Sequence, residues 1–403
     1  MDQTKIKMSL IKYQMRMFQL LIGTKKVDIA PEEIMYFNIV EDFEKYYFPY
    51  FEVEINVSNA VYRLMMKNPT KIKVNLSLYK GKKRDVYHSS DDSSTSFKRA
   101  LNGTFRVFLD GTSPDLSEDI EKKIDKDGTK YGQLTTVKFA LYSNTYYNKY
   151  DLVVNGNFLN VSLADMVGYI LTKTKMSKVL MSPPSNYKKY KQFILPPLPT
   201  HEQLTRICDT YALHSKGSIV YFGLDRAYII DKVPKCTAYA KNEYKISYIL
   251  YSSNDKSTPL SGGCGTITKD KVNILNAVSF ESDNKREITK KTVGKNIVSV
   301  DANGKVTKSN KKSSKVTKVV VQNQGNSTVK SIKRDIAETK KMIHVEFMDI
   351  DIGMLTPNKQ FILSIDGVSY KKYNGKYRLV KATHTFKKEG NFFQVVSSCD
   401  FKG

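Results

Sequence analysis

The 403-residue sequence has no tryptophan, only four cysteines and no long apolar run. The cysteines lack the CxxC spacing of zinc and redox motifs, and their scatter indicates no disulfide framework. Lysine and arginine interrupt the apolar runs near the N-terminus, which predicts that there is no signal peptide. No segment approaches the about 20 apolar residues that cross a bilayer. We therefore expect a soluble chain with a reduced, cytosolic history and no membrane insertion.

Signatures of catalysis are also missing. The sequence contains no HExxH metal motif, and residues 262–265 (GGCG) lack the Gly-Lys-Ser/Thr of a phosphate-binding loop, so a turn is predicted there. His201 falls in the first turn of a predicted helix, and His344 and His384 fall on predicted strands. All three are predicted to be surface or packing residues rather than ligands or bases.

Two other groups could carry chemistry, and both have a simpler interpretation. Cys208 lies on the apolar stripe of a predicted helix, so we expect it in the core. Asp349 and Asp351 lie two residues apart on a predicted strand and resemble paired carboxylates, but a solvated strand face is the favoured interpretation. We assign no catalytic, cofactor-binding or metal-ligating residue, and we predict a chain that is not an enzyme and needs no cofactor.

Positive charge is abundant. Lysine and arginine number 65 against 40 acidic residues, a formal net charge of +25 that favours polyanionic partners. Residues 284–341 hold 16 of the basic residues, 4 acidic residues and no aromatic residue. Such a composition does not build its own core, so we predict a mobile or partner-ordered insertion. Within it, Val316–Val321 could form a strand and Val329–Lys341 a helix.

This basic segment has two possible roles. It is either a solvated loop or a contact for nucleic acid or an acidic protein. Proteins that read bases usually add aromatic stacking platforms, which are missing here, so sequence-specific recognition is disfavoured.

Strand-like patterns dominate the rest of the chain, which contains 26 tyrosines and 19 phenylalanines. Apolar and polar residues alternate over 51–57 and again over 71–78, and Ser58 is placed to cap a short helix between them. Residues 31–150 are predicted to form a first antiparallel barrel. Residues 1–30 carry apolar residues at spacings of three and four, which predicts a weak amphipathic helix.

Two further units follow. Residues 151–238 are predicted to form an α+β module with one helix beginning near Leu163, a second beginning at a capping-box pattern at Thr200, and a hairpin across Gly223. Residues 239–283 are predicted to be strands that join the second barrel, and 284–341 is the basic insertion described above.

The last 62 residues, 342–403, are predicted to form a second small barrel. Four strands are expected, over 344–352, 361–365, 377–386 and 392–398. Their boundaries are marked by Asp-Gly, Asn-Gly and Glu-Gly-Asn sequences, which are suited to tight turns. The fold class predicted for the whole chain is α+β and mainly β, with two small barrels flanking an α+β module.

The segment "YNGKYRLVKATHTF", followed by the closing strand "FFQVVSSCDF", resembles the C-terminal barrel of the baseplate hub proteins of contractile-tailed bacteriophages and of the related VgrG-type spike bases. "YYFPYFEVEI" and "KIKVNLSLYK" resemble the N-terminal barrel of those hubs. The resemblance implies a structural virion protein whose three copies form a ring. The two similar barrels of each copy would alternate in pseudo-sixfold symmetry.

The resemblance also implies a set of partners. They are two further copies of the chain, the hexameric tail tube protein, a central spike or tail tip protein, and neighbouring baseplate proteins, with possible nonspecific contact to DNA passing through the tail. Assembly would occur in the host bacterial cytoplasm and the final location would be the tail baseplate. Because the sequence stops at Gly403, spike and lytic functions are expected on separate chains. The alternatives are a tail-associated cell-wall hydrolase and a nonspecific DNA-binding structural protein.

Overall fold

The structure is a computed structural model. It describes residues 11–45, 47–82, 97–109, 134–176, 178–215, 217–224, 226–232, 243–250, 261–267, 270–281, 289–293, 296–300, 306–309, 318–322, 342–365 and 374–403. Between 243 and 322 the description covers the backbone of the strands alone.

The described residues are mainly strands, which confirms the predicted fold class. The strands are β1 (Ile11–Ile22), β2 (Lys25–Asp28), β3 (Ile34–Asp42), β4 (Tyr50–Ser58), β5 (Ile72–Lys82), β6 (Lys98–Leu109), β7 (Leu134–Ser143), β8 (Val153–Ser162), β9 (Val179–Met181), β10 (Lys189–Pro199), β11 (Ser218–Phe222), β12 (Ala227–Asp231), β13 (Glu243–Leu250), β14 (Ser261–Ile267), β15 (Asp270–Glu281), β16 (Thr289–Val293), β17 (Asn296–Val300), β18 (Val306–Ser309), β19 (Lys318–Gln322), β20 (Met342–Met348), β21 (Gln360–Ile365), β22 (Gly375–Glu389) and β23 (Phe392–Lys402).

The α-helices are short. They are α1 (Asn59–Lys67), α2 (Asn144–Tyr150), α3 (Leu163–Lys173) and α4 (Thr200–Thr205), the last continued by a π-helical turn over Arg206–Thr210. Among the described residues, none of the helices has the length and apolar character needed to cross a membrane.

A closed antiparallel ring, which we call the first ring, contains eight strands. The pairing runs β1–β5–β6–β7–β4–β3–β22–β23 and returns to β1 through Tyr13 opposite Phe393. Side chains alternate in and out along each strand, and the inward ones form one apolar core. The first ring contains β1 from the N-terminal part of the chain, β22 and β23 from the C-terminal part, and the strands β3 to β7 from 31–150.

Strands β22 and β23 also belong to a second ring. Its pairing runs β22–β23–β20–β15–β14–β13–β21, and β21 pairs back to β22. The pair β13–β21 is parallel and the others are antiparallel. The four strands predicted over 344–398 therefore close into a ring together with three strands from 243–281. The two rings share one wall, made by β22 and β23, whose connecting turn places Gly390 at φ +61°.

The helix predicted within residues 1–30 is wrong, because Ile11–Ile22 is a strand. It pairs with β5 along its whole length, and the register shifts between Met15 and Met17. Tyr13 and Met15 are buried before the bulge. After it, Phe18 and every second residue that follows it in β1 are buried. The buried apolar residues of β1 therefore follow spacings of two and three, whereas the predicted helix was based on apolar residues at spacings of three and four.

The middle module packs two helices against a hairpin. Helix α3 begins at Leu163 as predicted, with Ser162 and Asp165 forming a capping box. The predicted hairpin is confirmed as β11 paired with β12. The capping box predicted at Thr200 is wrong, because the Thr200 hydroxyl donates to the Leu152 carbonyl at 2.8 Å and Pro199 occupies the cap position.

Four strands are described within the basic segment 284–341. Strands β16 to β19 form a separate four-stranded sheet in the order β18–β17–β16–β19. The strand expected at Val316–Val321 is confirmed as β19. Threonine and valine recur in these strands, and β-branched residues are enriched in strands.

Two other predictions in this part of the chain have different outcomes. The turn predicted at 262–265 is wrong, because these residues lie within β14. The predicted helix at Val329–Lys341 and the Asp366-Gly367 turn lie outside the described residues.

Candidate functional site

A buried ion pair connects the N-terminal strand to the end of β20. The Lys12 ammonium lies 3.5 Å from Asp349 Oδ2 and also contacts Glu389. Lys12 and Asp349 are only 1 % and 2 % exposed, so the pair is shielded from water. Burial raises the pKa of Asp349, and the nearby Lys12 charge opposes that rise. The pair therefore connects β1 of the first ring to the residue that follows β20 of the second ring.

The prediction that Asp349 and Asp351 share a solvated strand face is wrong. The strand ends at Met348, because Asp349 takes a left-handed backbone conformation with φ +56°. Asp351 instead caps the short 3-10 helix at Ile352–Met354 and forms an ion pair with Lys80 at 2.6 Å. The two carboxylates therefore form ion pairs that connect the residues after β20 to β1 and β5 of the first ring.

His384 is completely buried in the shared wall, which agrees with a packing role. Its Nδ1 lies 2.8 Å from the Ser397 hydroxyl, and its Nε2 lies 3.4 Å from Glu41 Oε2. The Tyr221 hydroxyl donates to the other Glu41 oxygen at 3.4 Å. These contacts join both rings to the hairpin of the middle module, and their burial leaves no room for a substrate.

His344 belongs to a polar array that sequence reasoning missed. Its Nδ1 lies 2.8 Å from Asp400 Oδ1, and its Nε2 lies 3.1 Å from the Ser398 hydroxyl. The hydrogen bond to Asp400 raises the pKa of His344. The array depends on the register of β20 against β23, which places His344 opposite Asp400 and Glu346 opposite Ser398. Strand alternation in the sequence gives the face of each residue and leaves this register open.

The order Asp400–His344–Ser398 is that of an acyl-transfer triad. Such a triad also needs donors aimed at the oxyanion of the tetrahedral intermediate. Here β20 pairs with β15 and β23, and β23 pairs with β20 and β22. The array therefore lies on a sheet whose strands have neighbours on both sides, and among the described residues the triad order is the feature of acyl-transfer chemistry that the array shows.

His201 packs among aromatic rings where the middle module contacts the segment after β3. It stacks on Tyr150 with ring centroids 3.8 Å apart, and Tyr47 approaches it edge-on at 5.6 Å. Burial raises the pKa of Tyr150 to about 12. Cys208 is buried in the module core, as predicted, and burial raises the pKa of its thiol to about 12. Within the described part of the chain, no cluster of His, Cys, Asp or Glu could hold a metal ion.

A wide groove runs along the outer surface of the first ring over β4, β7 and β6. Its cavity volume is about 580 Å³. The floor is Ala140, which lies opposite Phe108 on one side and Glu52 on the other. Because the alanine side chain is small, the larger side chains beside it project beyond it and form the walls of the groove. Tyr36 and Phe108 at the rim are 40 % and 38 % exposed.

The sequence profile of the bacteriophage PBS1 gene 109 protein family matches residues 1–401. The chain belongs to this phage family. No curated protein matches the chain in sequence.

Solved structures are similar to this gene 109 family chain. A tail protein from Neisseria meningitidis MC58 is 10 % identical, with a TM-score of 0.50 over 97 % of this chain and 96 % of that one. A 43 kDa tail protein of prophage MuSo2 from Shewanella oneidensis is 10 % identical, with a TM-score of 0.48 over 95 % and 96 %. A Francisella PdpA-VgrG complex is 9 % identical, with a TM-score of 0.46 over 99 % of this chain and 53 % of that one.

The family and the fold confirm the resemblance predicted from the sequence. The gene 109 family is a phage family, and the fold extends over nearly the whole chain and nearly the whole Neisseria tail protein. The resemblance therefore does not depend on the C-terminal segment alone.

Proposed function

We propose that this gene 109 family chain is a structural baseplate hub of a phage tail, acting as a trimeric symmetry adaptor between the hexameric tail tube and the central spike or tip. The observation that carries the proposal is the pairing of two closed rings within one chain, joined by a shared wall. Three such chains would present six barrel modules in alternation. One face could then match a sixfold tube while the other keeps threefold symmetry for a spike.

The domain organisation follows from the same proposal. The barrels take the ranges 31–150 and 342–403, with 1–30 and 239–283 contributing strands to them, and 151–238 forms the middle module. Neighbouring baseplate proteins would contact the surfaces that face away from the ring axis. The final location is the virion baseplate, reached after assembly in the host bacterial cytoplasm.

Tube nucleation tests the adaptor role. Purified chain added in substoichiometric amounts to the phage's tube protein is expected to shorten the lag of tube growth, because a preformed sixfold platform removes the slow nucleation step. Light scattering follows the growth, and electron microscopy shows whether one chain assembly sits at one end of each tube. Unchanged lag times and bare tube ends would contradict the adaptor role.

We propose that the chain is not an enzyme. Within the described part of the chain, the feature that favours the second candidate, a tail-associated cell-wall hydrolase, is the Asp400–His344–Ser398 array. The stronger interpretation of that array is a cross-strand polar ladder on the outside of the second ring, since such pairs stabilise sheets by a few tenths to about 1 kcal/mol each.

Replacing Ser398 by alanine, or His344 by glutamine, separates the two candidates. If the array is structural, both variants should retain tail assembly and infectivity apart from a small loss of stability, and peptidoglycan release by the wild type should equal the buffer blank. Thr383→Ala, on the neighbouring strand opposite Ser398, is the matched control. Wild-type peptidoglycan hydrolysis that Ser398→Ala abolishes while Thr383→Ala preserves it would establish the hydrolase instead.

The basic segment 284–341 is proposed to contact an acidic neighbour or the phosphates of passing DNA. Its 16 basic residues outnumber its 4 acidic ones, so it would attract polyanions without reading sequence. Its strands pair among themselves in a separate sheet, so its removal need not break either ring.

Replacing residues 284–341 by a short Gly/Ser linker should leave the thermal midpoint of the barrels unchanged or slightly raised, because a shorter loop lowers the closure free energy by only about 1–2 kcal/mol. Tail assembly should fall, and added salt should weaken assembly of the intact protein in the same way. Differential scanning calorimetry and assembly yields provide the two readouts. An unfolded deletion variant would show that the segment is integral to the barrels.

A further inference from the structure

Three adjacent strands of the first ring, β1, β5 and β6, contain basic residues and no aspartate or glutamate. Their inward side chains belong to the apolar core, because side chains alternate along each strand. Lys12 and Lys80 form the ion pairs described above. The outward side of the three strands, which we call the basic face, carries the exposed or half-buried cations Arg16, Lys73, Arg99 and Arg106.

Cross-strand register collects these cations at the two ends of the basic face. At one end Lys73 lies opposite Arg106, and at the other end Tyr79 lies opposite Arg99. Arg16 lies at the bulge of β1, and its guanidinium carbon is 4.3 Å from the centroid of the Tyr79 ring. Positions 73 and 79 of β5 are about 20 Å apart at the usual rise of about 3.3 Å per residue.

The strip between the two ends is made of neutral polar side chains. The Thr104 hydroxyl donates to Asn75 Oδ1 at 2.8 Å, and Asn75 Nδ2 donates to Gln19 Oε1 at 3.3 Å. Gln19 Nε2 in turn donates to Asp28 Oδ1 on β2, at the margin of the face, at 2.8 Å. The hydrogen-bonded side chains from β1, β5 and β6 therefore separate the two cationic ends with uncharged groups.

The pairing of Lys73 with Arg106 costs stability, because like charges directly opposite each other destabilise an antiparallel pair. In the described part of the protein, neither side chain forms an ion pair with a carboxylate, and Arg106 lies over the Tyr147 ring at 4.6 Å. A local arrangement that opposes folding is expected where a surface has a function. An anion bound across the basic face would relieve this repulsion.

We propose that the basic face binds double-stranded DNA through its phosphates. A duplex carries one negative charge per about 1.7 Å of its axis, so a single duplex can contact both cationic ends at once, whereas a small anion reaches one end. Arginine guanidiniums suit this partner, because they form paired hydrogen bonds with phosphate oxygens. The inference is independent of the proposed trimer and of the contacts proposed for residues 284–341.

The side chains of the face favour a duplex over two other polyanions. Its apolar residues on β1 are Met17 and Leu21, whereas protein interfaces are anchored by large aromatic side chains. Tyr79 is the aromatic residue opposite Arg99, and Arg16 covers its ring. This ring is therefore not available as a platform on which an unpaired base of single-stranded DNA could stack.

Fluorescence anisotropy of the full-length chain with a labelled duplex of about 20 base pairs tests the proposal, because each phosphate contact adds about 0.9 to the slope of log K against log salt. Lys73→Gln with Arg106→Gln should lower this slope by roughly 2, and so should Arg16→Gln with Arg99→Gln. The control, Lys173→Gln with Lys188→Gln, removes the same charge from exposed positions of the middle module and should leave the slope unchanged.

Competitors and the controls decide between the outcomes, with circular dichroism showing that every variant folds. A wild type that does not bind the duplex, or face variants with the slope of the wild type or of the control, would overturn the inference. An unchanged slope with bound DNA would leave the contact proposed for residues 284–341 intact. Displacement of the duplex by poly-glutamate at equal charge concentration, or tighter binding of a single strand, would overturn duplex DNA as the partner.

A fluorescent reporter locates the bound DNA. The chain has no tryptophan, so Tyr79→Trp places a single indole on the basic face. Leu159→Trp, at a position that is 73 % exposed on the middle module, is the control. Added duplex is expected to change the emission of the first variant and not that of the second. Unchanged emission at position 79 while anisotropy reports bound DNA would place the DNA elsewhere and overturn the inference.

Discussion

Replacing Lys12 by methionine is expected to lower the free energy of unfolding by about 3–5 kcal/mol, because it leaves a buried carboxylate without its partner. Asp349 would then keep one hydrogen bond on Oδ2, from Gln394 at 3.4 Å, while its Oδ1 has no partner in the described part of the protein. Urea unfolding followed by far-UV circular dichroism measures the loss. Lys388→Met, at a partly exposed pair with Glu32, is the control and should cost about 1 kcal/mol or less.

The pH dependence of the stability of the Lys12→Met variant shows whether the unpaired Asp349 carboxylate causes the loss of stability. Burial already raises the pKa of Asp349, and loss of the Lys12 charge should raise it further above its value in the unfolded chain. A carboxyl group with a raised folded-state pKa destabilises the protein at high pH, and this cost disappears as the pH falls below the unfolded-state pKa. The stability gap between wild type and variant should therefore narrow as the pH is lowered.

A double variant completes this test. Lys12→Met with Asp349→Asn removes both charges, and asparagine tolerates the left-handed backbone conformation of position 349. It should recover a large part of the lost stability. A double variant as unstable as Lys12→Met would show that the methionine itself is poorly accommodated and that the ion pair is not the cause.

Replacing Phe386 by alanine is expected to cost about 3–5 kcal/mol, because it opens a cavity where the shared wall meets the core of the first ring. Phe386 is 4 % exposed and contacts the rings of Tyr13, Phe37 and Phe393 at centroid distances of 5.4, 4.9 and 6.5 Å. These partners come from β1, β3 and β23, so the cavity would loosen both ends of the chain at once.

Two controls accompany the Phe386 variant. Phe386→Leu keeps part of the volume and should lose less stability than the alanine variant, while Leu159→Ala, at an exposed position, should change stability by about 0.5 kcal/mol or less. Chemical denaturation compares all three. A small loss for Phe386→Ala would mean that the shared wall is not part of one cooperative core.

Local patterns in the sequence predicted several individual elements correctly. Strand β4 alternates buried and half-buried residues as expected, Ser58 caps α1 by accepting from the Val61 amide, and α3 buries its predicted apolar stripe. Each of these features depends on residues that are close together in the sequence, so the local sequence is sufficient to determine them.

The features that the sequence did not predict depend on contacts between distant residues. The bulge in β1 lies between Met15 and Met17, and the acidic partners of the buried Lys12 are Asp349 and Glu389, near the other end of the chain. The His344 array and the Ala140 groove both arise from cross-strand register. A lysine in an N-terminal strand, or an alanine between larger residues, gives no local signal of such a role.

Electron microscopy of the purified protein tests the central claim most directly. If the chain is a hub, class averages should show a threefold ring with a central opening and six barrel-sized lobes, two from each copy, at a particle mass of three chains. Images should be taken at several protein concentrations and with tube protein present, because a weakly associating trimer forms only at high protein concentration. Monomers or twofold dimers under every one of these conditions would contradict the proposed hub.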